Sequence, residues 1–331
     1  MIFVRLPSIS VLDVRGNDAP RIANNLCTAN VVTLEMGQGR EAFVTDIRGK
    51  TLGHVCIFRT GDGLRLIGAG SVTTDTSNTT SLPNQAVAIA AHLDRYTLRE
   101  QSVPEDRSDF VAGIVIDRET ALRCEQQLAG MALEAKSTDL RSYAFVFCRG
   151  EHNQFPGDAY QMPWWRGGSV LLILEPTSLP AAIDFLASIG SKETSMLEFH
   201  RLRIENRFPW FGIDLDSSHL PQEADRDQLA ISFTKGCYLG QETIARLDAL
   251  GQVQKKLVCW SLSSPTRPGI GMELKDGDRI VGRLTSIAAM DGTNQFMAIG
   301  YARRSHFEAG SKASGVNEDG SRVDAIVSPS P

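Results

Sequence analysis

The sequence lacks most of the signals that would assign it at a glance. No apolar run approaches the ~20 residues of a membrane span. Met1 to Pro7 shows no charged segment leading into an apolar core, so no secretory signal is read. The six cysteines, at 27, 56, 124, 148, 237 and 259, are scattered, and none form a C-x-x-C pair. That argues against a zinc ribbon and a disulfide framework, and suits a reducing cytoplasm. The six histidines have no H-E-x-x-H or other metal spacing. There is no G-x-G-x-x-G and no phosphate-cradling G-x-x-x-x-G-K segment, which weakens a Rossmann or nucleotide-hydrolase reading. Nor is there an excess of positive charge. Lys and Arg number 34 against 39 Asp and Glu, a net −5, which argues against direct nucleic-acid binding by charge alone.

What is there describes a folded protein of more than one core. The chain has 331 residues, 42% hydrophobic and 22% charged. Ile9 to Val14 alternates as a half-buried strand does, and Ala19 to Ala29 reads as a helix behind the turn Gly16-Asn17-Asp18. Arg40 to Ile47 and Thr51 to Phe58 are strands joined by a hairpin at Arg48-Gly49-Lys50. Leu64 to Ile67, Phe110 to Ile116, Ala144 to Cys148 and Val170 to Leu174 are further strands, and Pro83 to Arg95, Arg118 to Gly130 and Lys192 to Asn206 are helices. Helices and strands mix without a strict alternation, which predicts an α+β body with antiparallel sheet. After Gly251 the composition shifts to short β-type runs separated by Asp276-Gly277, Asp291-Gly292 and Asp319-Gly320. The expected division is therefore an α+β region at 1–251 and a small β-barrel or sandwich at 252–331.

The stretch richest in chemistry is Lys235-Gly236-Cys237-Tyr238-Leu239-Gly240-Gln241-Glu242, followed by Thr243-Ile244-Ala245-Arg246. The apolar run Leu229 to Phe233 before it can form a strand. Ile244, Leu247 and Leu250 after it share one face of a helix. Cys237 is then a thiol just ahead of a helix N-terminus with Lys235 close in sequence, and both features favour thiolate. The alternative is a cysteine buried as a small hydrophobe.

These twelve residues resemble the signature of the YgfZ-type tetrahydrofolate-binding proteins. That family includes an iron–sulfur assembly factor and is more distantly related to the glycine-cleavage T-protein, an aminomethyltransferase. Further landmarks agree in order: V-R-G-N-D-A from Val14 to Ala19, D-I-R-G-K from Asp46 to Lys50, L-R-I-E-N-R-F-P from Leu202 to Pro209, Gly212 to Asp214, and L-P-Q-E-A from Leu220 to Ala224. The resemblance covers nearly the whole chain. It implies a T-protein-like fold of three lobes, two α+β lobes around a folate pocket plus a C-terminal β-barrel. It also implies tetrahydrofolate as ligand, with a role in assembling or repairing iron–sulfur proteins, including those that modify tRNA.

A pterin needs a carboxylate to accept its adjacent N–H donors and an aromatic or apolar face. Glu205 is the carboxylate in the matching stretch, or else the partner of Arg203, Arg207 or another basic group. Phe199 falls about where the family places an aromatic, or else packs the core. Arg203 and Arg246 are candidates for a folate's anionic tail, though Arg246 also sits four residues after Glu242 and can pair with it. Against the transferase branch, Pro163-Trp164-Trp165-Arg166-Gly167-Gly168 stands where the T-protein has a G-Y-T-G-E-type loop, so that glutamate is missing. The T-protein also carries no cysteine in the segment that holds Cys237. Asp75 falls roughly where the T-protein has its catalytic acid. The expected function is thus a folate-binding accessory protein working through Cys237, with a folate-dependent aminomethyltransferase as the alternative. A thiol hydrolase would need His200 or His219 brought to Cys237 by folding.

Overall fold

The computed structural model describes residues 1–71, 84–127, 143–148, 157–251, 253–290 and 293–329. Among these, eleven strands form one sheet, in the order Lys192–Glu193, Ile2–Leu6, Ala112–Asp117, Ser169–Leu174, Gly157–Met162, Tyr143–Cys148, Gln38–Thr45, Thr51–Arg59, Gly63–Ala69, Ile9–Arg15 and Val103–Asp106. The sheet is two lobes joined at one narrow junction, where Gln38 and Gly39 pair with Ala144 and Tyr143. The first strand, Ile2–Leu6, lies in the second lobe, and the second strand, Ile9–Arg15, lies in the first. The chain therefore ties the lobes together within its first fifteen residues.

Each lobe carries helices on its outer face. Ala19–Leu26 and Gln85–Tyr96 bury Ile22, Leu26, Ile89 and Leu93 on the first lobe. Arg118–Gln127 and Leu179–Ser188 bury Ala121, Cys124, Ala182 and Leu186 on the second. The helix Met196–Glu205 is wedged between the lobes in an aromatic core of Phe58, Tyr160, Trp164, Trp165, Phe199 and Trp210. Arg65 locks the lobes from its strand, donating to Asp13 at 2.6 Å and to Asp158 at 2.6 Å.

The C-terminal region is a closed barrel of Lys255–Ser263, Gln295–Arg303, Arg279–Ala289, Glu273–Asp276, Lys312–Val316 and Arg322–Val327. It closes between the first and last of these strands, so no edge is left open there. A separate core joins barrel to body: Phe43, Ile204, Leu215, Tyr238, Ile244, Leu257, Ile299 and Tyr301. Burying a side chain such as Ile244 there contributes about 1.5–3 kcal/mol. Two residues of the cysteine motif are thus part of the weld between barrel and body. No helix among the described residues is long and apolar enough to cross a membrane.

Three expectations change. Leu229 to Phe233 is not a strand: Asp227–Ala230 forms one helical turn, and Ile231 is extended beyond it. Its backbone is satisfied by a loop, since Thr28 donates its hydroxyl to the Ala230 carbonyl at 2.6 Å and accepts from the Ser232 N–H at its own carbonyl. Helix Lys192 to Asn206 starts later, at Met196, because Ser195 caps it and Lys192–Glu193 pairs in parallel with Ile2 and Phe3. Helix Ala19 to Ala29 ends at Leu26, where Cys27 turns extended and bridges to Val44. Gly130 and the Asp291-Gly292 turn lie outside the described residues.

Candidate functional site

The cysteine loop is clipped to the first lobe by its neighbours. The Lys235 ammonium donates to the carbonyls of Asn24 at 2.6 Å, Cys27 at 2.9 Å and Ala29 at 2.6 Å. These carbonyls belong to or follow the last turn of Ala19–Leu26, where helix carbonyls lack partners and the dipole is negative. All three ammonium protons are used, and the cation also lies over the Tyr238 ring, 5.0 Å from its centroid. Burial pushes Lys235 below the usual lysine range. Lys235 therefore fixes the loop in place and does not direct its charge at Cys237 as its sequence position suggested.

The second clip is the hairpin at Asp46 to Lys50. Asp46 accepts the N–H groups of Arg48 at 2.9 Å and Lys50 at 2.7 Å, holding the turn, and Gly49 adopts φ +77°. Gly240, at φ +81°, packs directly against it. Thr45 donates its hydroxyl to the Leu239 carbonyl at 2.7 Å, and the Leu239 N–H reaches the Asn25 carbonyl at 2.8 Å. Lys50 continues the chain of contacts to the Ser218 carbonyl. The two sequence signatures, 46–50 and 235–246, therefore form one structure.

From Gly240 the helix Gln241–Leu250 starts, with Gln241 accepting the Tyr238 N–H at 3.2 Å. Only Ile244 of the expected apolar face is buried; Leu250 is exposed. Gly236 and Cys237 stand exposed between buried Lys235 and buried Tyr238. Among the five cysteines whose side chains are described, Cys27, Cys56, Cys124 and Cys259 are buried and Cys237 is exposed. Burial pushes the thiols of Cys27, Cys56 and Cys259 above the ordinary range. Among the described cysteines, the accessible thiol is thus the one in the motif.

The residues expected around a folate fare unevenly. Phe199 is fully buried, edge-on to Trp164, Trp165 and Trp210, so its role is core packing. Arg203 is buried as well. It donates to Asp214 at 2.7 Å, Ser286 at 2.7 Å, the Phe208 carbonyl at 3.2 Å and His200 Nδ1 at 2.7 Å, which ties the helix to the barrel and keeps the guanidinium buried, away from a ligand's tail. Glu205 pairs with Arg201, one turn earlier, and not with Arg203 or Arg207. Arg246 is exposed and forms no ion pair among the described residues, so the alternative to a ligand role, a pair with Glu242, also exposed, is not made. Asp75 lies outside the described residues. Trp164 and Trp165, in the loop that stands in place of G-Y-T-G-E, are buried.

Neither histidine supports a hydrolase. His200 is pushed down to about 4 by burial and by the Arg203 guanidinium. His219 stacks on Tyr301 at 4.8 Å and pairs with Asp216 at 2.8 Å. Neither ring is hydrogen-bonded to Cys237.

Sequence reasoning missed a buried ion group behind the loop. Arg226 grips Glu41 with two nitrogens, and Glu41 also meets His54 Nε2 at 2.8 Å. His54 is stacked between Phe43 and Phe208, and Arg226 lies over Phe208. Burial would raise the Glu41 carboxyl, but Arg226 and His54 outweigh it and hold it at about 2. The signal was present as the charged cluster Glu223 to Asp227 upstream of the motif, but its partner Glu41 lies 185 residues away.

With that geometry in view, the chain can be set beside known proteins. No family model matches it. The crystal structure of the glycine cleavage system aminomethyltransferase T from Bartonella henselae superposes with a TM-score of 0.74, covering 99% of this chain and 85% of that one at 15% identity. The fold is therefore T-protein-like, two α+β lobes and a closed barrel. Proteins named tRNA-modifying protein YgfZ are similar in sequence: 25% identical over 315 residues in Yersinia enterocolitica, covering 90% of this chain and 84% of the relative, and 24% over 283 residues in Sodalis glossinidius, covering 84% and 77%. A chloroplastic protein of Arabidopsis thaliana, named provisionally as a transferase, is 26% identical over 343 residues, covering 100% of this chain and 71% of the relative. The chain is thus similar to YgfZ proteins in sequence and T-protein-like in fold.

Proposed function

We propose that this protein is a cytoplasmic, tetrahydrofolate-binding accessory protein that supports tRNA modification by maintaining iron–sulfur enzymes through the Cys237 thiol. The observation that carries the reading is the setting of Cys237: exposed, on a loop immobilised by Lys235, Thr45 and the Gly49–Gly240 contact. A fixed, accessible thiol can, as its thiolate, attack the outer sulfur of a partner's persulfide and take it up as its own persulfide, while the partner's inner sulfur leaves as a thiolate. The names of the YgfZ relatives support the link to tRNA modification, and the T-protein-like fold supports folate. Tetrahydrofolate, when bound, supplies a one-carbon carrier. Of the four side chains expected to hold it, Arg246 alone is exposed and unpaired among the described residues, suited to the anionic glutamate tail.

The test is complementation of a strain lacking its own YgfZ-type protein, scored by tRNA modification and iron–sulfur enzyme activity. Wild type restores both, and Cys237→Ser does not, while its melting temperature and its tetrahydrofolate titration, followed by tryptophan fluorescence, stay unchanged. A serine variant that complements fully sinks the role of the thiol, and absence of saturable tetrahydrofolate binding sinks the ligand. The rival reading, a folate-dependent aminomethyltransferase, is favoured by the fold. It predicts methylene-tetrahydrofolate formation from an aminomethyl-lipoyl carrier, and robust turnover would replace our reading with it.

A further inference from the structure

The two glycines of the cysteine motif stand in different situations. Gly240 holds a left-handed φ of +81°, and a Cβ there would run into Asp46 and Gly49. Nothing of that kind constrains Gly236. Its φ is not left-handed, and no described atom lies within 4 Å of where its Cβ would be. Alanine fits there without strain. Glycine in such a place gives up more conformational freedom on folding and returns no contact within the chain. Exposed beside a reactive thiol, it leaves room for a backbone from outside the chain to come close.

The loop is held on both sides of that gap. Lys235, just before Gly236, directs its ammonium at the Asn24, Cys27 and Ala29 carbonyls. Tyr238, just after Cys237, is bonded both ways to Gln241: its N–H donates to Gln241 Oε1 at 3.2 Å, and its carbonyl accepts the Gln241 N–H at 3.2 Å. Gly236 and Cys237 are therefore an exposed dipeptide between two buried, anchored residues. Cys237 does not line the cleft of about 820 Å³ between the second lobe and the barrel. A co-substrate meets the thiol on exposed surface. Two large apolar side chains stand out on the segments that carry or brace the loop. Phe233, 42% exposed, is two residues before Lys235, and Ile47, 72% exposed, follows Asp46, whose carbonyl packs on Gly240. A small sulfur donor needs neither the missing Cβ nor these side chains. A protein donor uses both.

We infer that Gly236 selects a protein as the sulfur donor to Cys237, by leaving the gap into which the donor's cysteine-bearing segment fits. This role for Gly236 rests on the thiol role proposed above. The Cys237 thiolate attacks the outer sulfur of the donor's persulfide. One S–S bond forms as the donor's own S–S bond breaks, and the pair of that broken bond leaves on the donor's inner sulfur as a thiolate. No oxidant is consumed. Because an S–S bond is only about 2 Å long, the donor's cysteine backbone has to pass close to the residues beside Cys237.

Gly236→Ala and Gly236→Leu test this in the full chain. Gly236→Ala should melt at or above the wild-type temperature, because its Cβ has free space and the unfolded chain loses entropy. Both variants should react with iodoacetamide, and take sulfur from cysteine persulfide, within about threefold of wild type. In the complementation strain, Gly236→Leu should restore tRNA modification about tenfold less well than wild type, with Gly236→Ala between the two. Full complementation by Gly236→Leu overturns the inference. So does a loss of reactivity toward both small probes that matches the loss of complementation, since the effect would then lie on the thiol itself. A lowered melting temperature for Gly236→Ala would reveal a constraint inside the chain and would overturn it too. Cys237→Ser separates the two proposals. If it complements, the thiol role falls; if it fails while Gly236→Leu complements, only the role of Gly236 falls.

Discussion

A Cβ built on Gly240 would lie 2.7 Å from the Cα of Gly49 and 2.5 Å from the Asp46 carbonyl oxygen. The cysteine loop and the hairpin are in backbone contact, and both glycines hold left-handed φ angles, +81° and +77°. Neither position takes a side chain without moving the other. Gly240→Ala should therefore destabilise by about 2–4 kcal/mol, from strain and displaced backbone together. Gly49→Ala, whose nearest contacts are 3.1 and 3.2 Å, should cost less. Urea midpoints measure both, and an unshifted midpoint for Gly240→Ala would disprove the contact.

Cys237 should be the fastest-reacting thiol of the five whose side chains are described. Native protein treated with iodoacetamide and mapped by mass spectrometry should label Cys237 well before Cys27, Cys56, Cys124 and Cys259, which are buried. Early labelling of a buried cysteine would show that the native packing around it opens easily.

Lys235 should matter for stability more than for thiol reactivity. Lys235→Met leaves three carbonyls without their donor and should cost about 2–4 kcal/mol. Alkylation of Cys237 at fixed pH should change by less than about threefold, because the ammonium is directed at the Asn24, Cys27 and Ala29 carbonyls. A stable variant with a much slower thiol would reverse that assignment.

Two buried carboxyls give opposite pH signatures. Burial, with Asp225 and Asp248 nearby and Lys256 opposing, raises Asp227 to about 7 from 3.8. The folded state holds that proton more tightly, so this contribution to stability is full below about 4 and lost as pH rises through about 7. Asp227→Asn should then raise the melting temperature at pH 8 and have little effect at pH 4. Glu41 is lowered to about 2 from 4.5, so its contribution is present above about 4.5 and lost as pH falls towards about 2. Glu41→Gln leaves buried Arg226 without its carboxylate and should cost about 3–5 kcal/mol at neutral pH. Melting curves across pH decide both: a Glu41→Gln midpoint equal to wild type at pH 7 would show that the buried pair adds nothing.

The sequence by itself determined the local elements and the identity of the motif. The hydrophobic periodicities of Ile9 to Val14, Thr51 to Phe58 and Pro83 to Arg95 produced the strands and helix found there, because each buries one face whatever it packs against. Glycines and Asp-Gly pairs marked real turns, as at Gly49 and Gly277. The cysteine motif was legible because its residue types are unusual together. Tertiary structure decided what each side chain does. Lys235 is two residues from Cys237, yet its charge goes to carbonyls more than 200 positions away in the chain. Arg203 and Phe199 resembled ligand contacts but are consumed by the barrel and the aromatic core. Leu229 to Phe233 had the composition of a strand but found no strand edge to pair with. Glu41 and Asp227, ordinary acids in the sequence, hold pKa values on opposite sides of the normal range because one is buried with a cation and the other with two anions nearby. Local patterns fix what a segment can form; long-range contacts, whose partners no spacing reveals, fix which polar groups are satisfied and which are left for a ligand.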